Sequence, residues 1–200
     1  VIDYQPADMV VTVETGITLD ELQHRLAQSR QWLPVDPPLP ERTTLADILH
    51  RNLAGPRRLA HGTIRDWTLG VRVALADGTL IRSGDKVVKN VAGYDLTKLF
   101  IGSQGTLGLI IEATFKLNPL PESECFVRRG FGLLREAVEA ADLLRETNLN
   151  PTVLDLHNLP STRTSNCANE RFTLVLGFAG AREDTEAGLS HAAEFGFTEP

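Results

Sequence analysis

A chain of 200 residues, 42% hydrophobic and 23% charged, is long enough for one core, or for one domain and part of a second. Its formal net charge of −6 argues against nucleic acid or an anionic membrane as the main partner, because phosphate-rich surfaces select basic patches, and here only Arg57–Arg58 and Arg128–Arg129 pair like cations. Cys125 and Cys167 stand far apart without CxxC or Cys/His spacing, which leaves two reduced structural thiols and no readable metal site or disulfide framework.

In chain order, residues 9–14 read as a strand. Thr18, three residues before Glu21 and ahead of Leu19, Leu22 and Leu26, reads as a capping box opening an amphipathic helix. The 31–42 stretch carries Pro34, Pro37, Pro38 and Pro40 and reads as an extended loop. Over 44–53, Leu45, Ile48, Leu49 and Leu53 share one helical face, and Gly55-Pro56 stops the helix. Residues 71–75 and 79–83 flank Asp77-Gly78 as a hairpin. Gly93, Gly102, Gly105 and Gly108 then punctuate a short amphipathic segment, 95–100, and a long apolar run, 107–117, whose β-branched residues and Phe115 suit a buried strand. Glycines so placed serve either close approach of main chain to a ligand or tight corners in a sheet.

Beyond Pro121 the pattern changes. A strand at 125–131, a helix at 133–147, strands at 153–156 and 172–178 and a helix at 182–195 give β-α-β-β-α, the start of a ferredoxin-like arrangement whose last strand is expected beyond residue 200. No apolar run approaches the ~20 residues that span a bilayer, and no charged stretch followed by an apolar one opens the chain, so a cytoplasmic protein is expected. The first residue is Val, which reads as a fragment or a trimmed chain.

The run KNVAGYDLTKLFIGSQGTLGLIIEATFKL resembles the second half of the FAD-binding domain of the vanillyl-alcohol oxidase/PCMH flavoprotein superfamily, and most of all the FAD-binding subunits of glycolate oxidase. PADMVVTVETGITLDELQHRLAQSRQWLPVDPP and NLAGPRRLAHGTIRDWTLGVRVALADGTLIRSG follow the same family in order, so the resemblance covers about residues 1–121. It implies an α+β fold: a PCMH-type FAD-binding domain, a mixed sheet with flanking helices, at 1–120, lacking its first glycine-rich loop, and the start of a cap or substrate domain at 121–200.

The same resemblance implies which residues hold FAD. The family's T-[IL]-G-G-x-x-A-x-N-x-x-G segment matches at Thr44, Leu45, Asn52 and Gly55, while Ala46 and Asp47 replace its paired glycines and His50 its small residue. Asn90 and Gly93 belong to the loop that follows, and Gln104, Gly105, Thr106, Leu107, Gly108 and Ile110 to the adenine- and ribose-side segment. Asp47 departs most, because Thr44-x-x-Asp47 also reads as a self-capping helix start that uses the donors a diphosphate needs and adds a negative charge. The implied activity is FAD-dependent oxidation of a small 2-hydroxy acid such as glycolate, with electrons passing to an iron–sulfur partner subunit. The alternative is a degenerate subunit, weakly or not at all FAD-binding, kept for assembly; Asp47 and the missing first loop favour it, and the intact GSQGTLG favours the enzyme. No catalytic base is read: Lys89, His61, Arg65-Asp66, Trp32 and Trp67 suit solvated or packing roles, and His157 has no partner to tune it.

Overall fold

The computed structural model describes residues 1–84, 95–158 and 170–198. The chain divides into two compact units, Val1–Leu120 and Pro121–Pro200.

The first unit is built on a five-stranded antiparallel sheet. In chain order its elements are β1 (Asp3–Gln5), β2 (Val10–Glu14), α1 (Leu19–Ala27), β3 (Gln31–Trp32), α2 (Leu45–Arg51), α3 (Arg58–His61), α4 (Ile64–Trp67), β4 (Thr68–Ala74), β5 (Leu80–Gly84), α5 (Thr97–Phe100), β6 (Leu109–Lys116) and β7 (Asn118–Pro119). The strand order β1-β2-β6-β4-β5 puts the long apolar strand β6 in the middle. Period-2 alternation sends Val11, Val13, Val71, Val73, Ala113 and Phe115 to one face, where Leu19, Leu22 and Leu26 of α1 and Leu45, Ile48 and Leu49 of α2 cover them. Each of the larger side chains contributes about 1.5–3 kcal/mol by leaving water, which makes this layer the main support of the unit.

The opposite face carries Thr12, Arg72, Glu112 and Thr114, with Arg72 Nη1 donating to Glu112 Oε1 at 2.8 Å.

The helix starts follow their sequence signals. Thr18 Oγ1 accepts from Glu21 N at 3.2 Å, and Thr44 and Asp47 form a reciprocal capping box. The 44–53 helix ends earlier than Gly55-Pro56 implies, because Asn52 adopts the left-handed conformation (φ 48°) and closes it at Arg51. The long strand begins at Leu109 rather than 107, since Gly105 and Gly108 lie at positive φ and a bulge shifts the β4–β6 register between Arg72 and Val73. The proline-rich stretch starts with β3, which pairs with β7 through Gln31↔Pro119 and Trp32↔Asn118.

The second unit has β8 (Ser123–Phe131), α6 (Leu134–Arg145), β9 (Val153–His157), β10 (Phe172–Gly180) and α7 (Arg182–Glu194). The antiparallel order β8-β10-β9 is that of a β-α-β-β-α chain in which the first strand lies beside the third. On the other edge of β8, Arg128 and Thr198 form an isolated bridge, exchanging both main-chain hydrogen bonds at 2.8 and 2.9 Å. Cys125 Sγ lies 3.9 Å from Thr185 O, and Cys167 lies outside the described residues. Among the described residues no helix is long and apolar enough to cross a membrane.

Candidate functional site

The sequence-marked residues of the first unit converge on α2 and the 102–110 segment. At the start of α2 every main-chain donor is used within the protein. Leu45 N donates to Ile17 O at 3.0 Å, Ala46 N to Thr15 O at 2.8 Å, Asp47 N to Thr44 Oγ1 at 3.2 Å and Ile48 N to Thr44 O at 3.1 Å. Asp47 turns its carboxylate back onto the same turn, accepting from Thr44 Oγ1 at 2.6 Å and Thr44 N at 3.2 Å. The Thr44 hydroxyl is the chief reason that the Asp47 carboxyl titrates below the ordinary carboxylate range. Thr44 is thus committed to its own helix, and this helix start presents no free N–H to an anion.

Gly55 is likewise fixed by packing. A Cβ there would fall on the carbonyl oxygen of Asp36 in the proline-rich loop, whose Oδ2 accepts from Arg57 N at 3.0 Å. Burial pushes the Asp36 carboxyl up, against the lowering effect of Arg57.

The other end of α2 holds the glycine-rich segment. Gly102 N donates to Leu49 O at 2.9 Å, and Gln104 N to His50 O at 2.8 Å. Ser103 O accepts from Thr106 Oγ1 at 2.7 Å and from Thr106 N at 3.1 Å, closing a tight turn. Gly105, at φ 76°, has open space where a Cβ would be, whereas a Cβ on Gly108 would meet Val73 Cγ1 at 2.6 Å and Ala74 O at 3.0 Å. The two glycines therefore answer different needs: Gly108 passes a strand, and Gly105 leaves main chain bare to solvent. Gln104, Thr106 and Leu107 are exposed beside it, and Ile110 is buried at the head of β6. Within this cluster Asn52 Oδ1 and Ser103 Oγ are buried atoms that find no partner among the described residues. Asn90 and Gly93 lie outside the described residues, as does Lys89.

Three groups in this cluster escape a reading of the sequence. His50 Nε2 accepts from Ile110 N at 3.1 Å, Thr15 Oγ1 donates to Ile110 O at 2.7 Å, and the Ser103 hydroxyl oxygen is buried in the turn. His50 is visible in the sequence as a departure from a small residue, but its partner lies 60 positions away and carries no local signal.

Elsewhere in the unit Trp32 and Trp67 pack as expected. Their rings flank His61, at centroid distances of 5.5 and 6.5 Å, with Arg57 over Trp32 and Lys116 over Trp67. Asp66 caps α4 by accepting from Thr63 N at 2.8 Å. In the second unit His157 does have a partner, Asp155 Oδ2 at 3.2 Å, because residues two apart on a strand share a face. The pair is substantially exposed, so it adds little to stability.

Comparison with known proteins places this cluster in context. Residues 1–84 match the FAD binding domain family. The chain is 37% identical to glycolate oxidase subunit GlcE of Escherichia coli over 71% of this chain and 41% of that one. It is 31% identical to glycolate oxidase subunit GlcD of Bacillus subtilis, over 80% and 34% of the two chains. With the mitochondrial D-lactate dehydrogenase [cytochrome] of Arabidopsis thaliana it shares 30% identity over 96% and 36%. Among solved structures, alkyldihydroxyacetonephosphate synthase shares the fold at a TM-score of 0.79 and 23% identity, covering 97% of this chain and 39% of that one. The chain spans between 34% and 41% of the length of these relatives.

Proposed function

We propose that this chain, a homologue of glycolate oxidase subunits and D-lactate dehydrogenases whose first residues match the FAD binding domain family, carries the FAD-binding part of an enzyme that oxidises a 2-hydroxy acid such as glycolate. In this reading residues 1–120 are the FAD-binding domain, residues 121–200 begin the cap or substrate domain, and a partner subunit with an iron–sulfur cluster takes up the electrons in the cytoplasm.

The fit to FAD is uneven along the site. The glycine-rich turn suits it: main chain is bare at Gly105, Gln104 and Thr106 are exposed, and the buried Asn52 Oδ1 and Ser103 Oγ await polar partners. The start of α2 does not suit a diphosphate, since its donors are used and Asp47 adds negative charge. Gln104, Gly105, Thr106 and Asn52 are then the residues that hold the cofactor, while Gly55 and Gly108 shape the walls. When bound, FAD supplies the hydride acceptor for oxidation of the hydroxy acid. The work of these residues is orientation and exclusion of water: short loops anchored to α2 and β6 fix the cofactor's position at low entropic cost.

The observation that carries the reading is the exposed glycine turn beside two buried polar atoms without a partner among the described residues, within a chain that matches the FAD binding domain family and is homologous to glycolate oxidase subunits. The closed start of α2 favours a second reading, a degenerate subunit that keeps the fold for assembly. The visible spectrum of the purified full-length protein separates the two. A flavin band that bleaches anaerobically on adding glycolate or D-lactate supports the enzyme; a colourless protein that takes up no added FAD overturns it.

A further inference from the structure

Both main-chain groups of Ile110 bond to side chains. The residue sits at the β-bulge where pairing with β4 slips between Arg72 and Val73. Its C=O accepts from Thr15 Oγ1 at 2.7 Å and its N–H donates to His50 Nε2 at 3.1 Å. Together with Gly102 N to Leu49 O and Gln104 N to His50 O, this last bond fastens the 102–110 segment to the C-terminal half of α2. Of the three fastenings it alone runs through a group that titrates near neutral pH. An imidazole accepts at Nε2 only while that nitrogen is bare, which places the neutral ring's proton on Nδ1; an imidazolium has donors only.

We propose that His50 is a positioning residue that makes the order of the glycine-rich segment depend on pH, latching Ile110 while neutral and releasing it on protonation. The functional consequence, retention of FAD, rests on the reading above; the latch itself does not.

The surroundings support a neutral ring at rest. Burial of the imidazole is the largest influence and lowers its pKa, opposed by Asp47 one turn earlier on α2. Among the described residues, the other charged groups of these elements are engaged or turned away. Arg51 is exposed, Glu112 of β6 lies on the far face of the sheet with Arg72, and Lys98 of α5 pairs with Asp95 at 3.6 Å. Gly102, Ser103, Gln104 and Thr15 carry no ionisable side chain. Because the folded pKa lies below the ordinary histidine value of 6.5, the latch is intact above 6.5 and is lost as pH falls through the lowered value.

The test is amide hydrogen exchange at Ile110 in the full-length protein, corrected for the intrinsic pH dependence of exchange and compared at pH ~7.5 and ~5. Wild type is expected to lose about tenfold in protection at the lower pH. His50→Gln, whose side-chain oxygen accepts at either pH, is expected to keep its protection at both, and His50→Ala to lack it at both. Equal protection of wild type at the two pH values, or the same pH response in His50→Gln, overturns the latch. Should His50→Ala fail to fold, the comparison of wild type with His50→Gln still decides. Flavin retention is read in parallel. Retention that tracks Ile110 protection supports both readings, while a pH-dependent Ile110 in a protein that takes up no flavin keeps the latch and sinks the FAD reading alone.

Discussion

Replacing Ala46 and Asp47 together with glycine in the full-length chain tests how the start of α2 bears on FAD. Two effects oppose each other. Each glycine in a helix costs about 1 kcal/mol, and removing the carboxylate leaves Thr44 N without the acceptor it holds at 3.2 Å, about 1 kcal/mol more. Stability is thus expected to fall by about 3 kcal/mol, read as a lower urea midpoint. Against this, removing a carboxylate from about 4 Å of a phosphate charge relieves ~4 kcal/mol at an effective dielectric near 20, and ~1 kcal/mol in water. Asp47 is exposed, so the relief lies toward the lower figure. Because Leu45 N and Ala46 N remain bound to Ile17 O and Thr15 O, the replacement frees Thr44 N and removes charge without opening the whole helix end. At about 1–2 kcal/mol, the expected gain is about five- to thirtyfold in FAD affinity, measured by fluorescence titration of apoprotein. An unchanged affinity, with the urea midpoint lowered as expected, would mean that the diphosphate does not approach α2 and that Asp47 is purely a cap.

Three further outcomes follow from the same geometry. Gly55→Ala is expected to destabilise the protein by about 1–3 kcal/mol or more in thermal unfolding, because its Cβ meets Asp36 main chain; wild-type stability would show that the proline-rich loop moves aside. Gly105→Ala, with open space but φ 76°, should cost only about 1–2 kcal/mol of stability yet reduce flavin occupancy of the loaded protein, whereas Gly108→Ala should lower stability chiefly through its clash with Val73; equal behaviour of the two variants would refute the division of labour. Asp66, whose carboxyl is held below its ordinary range first by the Thr63 N–H, contributes stability that is present above the ordinary value of 3.8 and lost as pH falls through the lowered one; Asp66→Asn should therefore flatten the acid limb of the urea midpoint against pH, and an unaltered limb would refute it.

What the sequence made legible was local. Thr44-x-x-Asp47 spells out its own capping box, Asp77-Gly78 its hairpin, and the apolar run into Leu117 the buried strand β6. The β-α-β-β-α order of the second unit followed from periodicity in the same way. What stayed hidden depends on partners distant in sequence. Gly55 looks like a ligand-binding glycine until Asp36 is seen against it, and His50 looks like a damaged motif position until Ile110 arrives from 60 residues away. The end of α2 was misplaced because Asn52 takes the left-handed conformation that Gly55 seemed reserved for. His157 gained its carboxylate partner simply by sitting two positions after Asp155 on one strand, a local signal that a search for catalytic groups passes over.

The aromatic group of Trp32, His61 and Trp67 has a practical consequence. The chain contains two tryptophans, and both lie in this one corner of the first unit, each ring half-buried and each indole N–H bound to a main-chain oxygen, Trp32 to Pro119 O and Trp67 to His61 O. Intrinsic fluorescence excited at the indole band is therefore a local thermometer of residues 1–120 and blind to the ferredoxin-like half, while far-ultraviolet circular dichroism senses helices in both. Overlaying the two denaturation curves reports directly whether the halves melt together, since coincident traces indicate one cooperative transition and separated ones indicate independent melting.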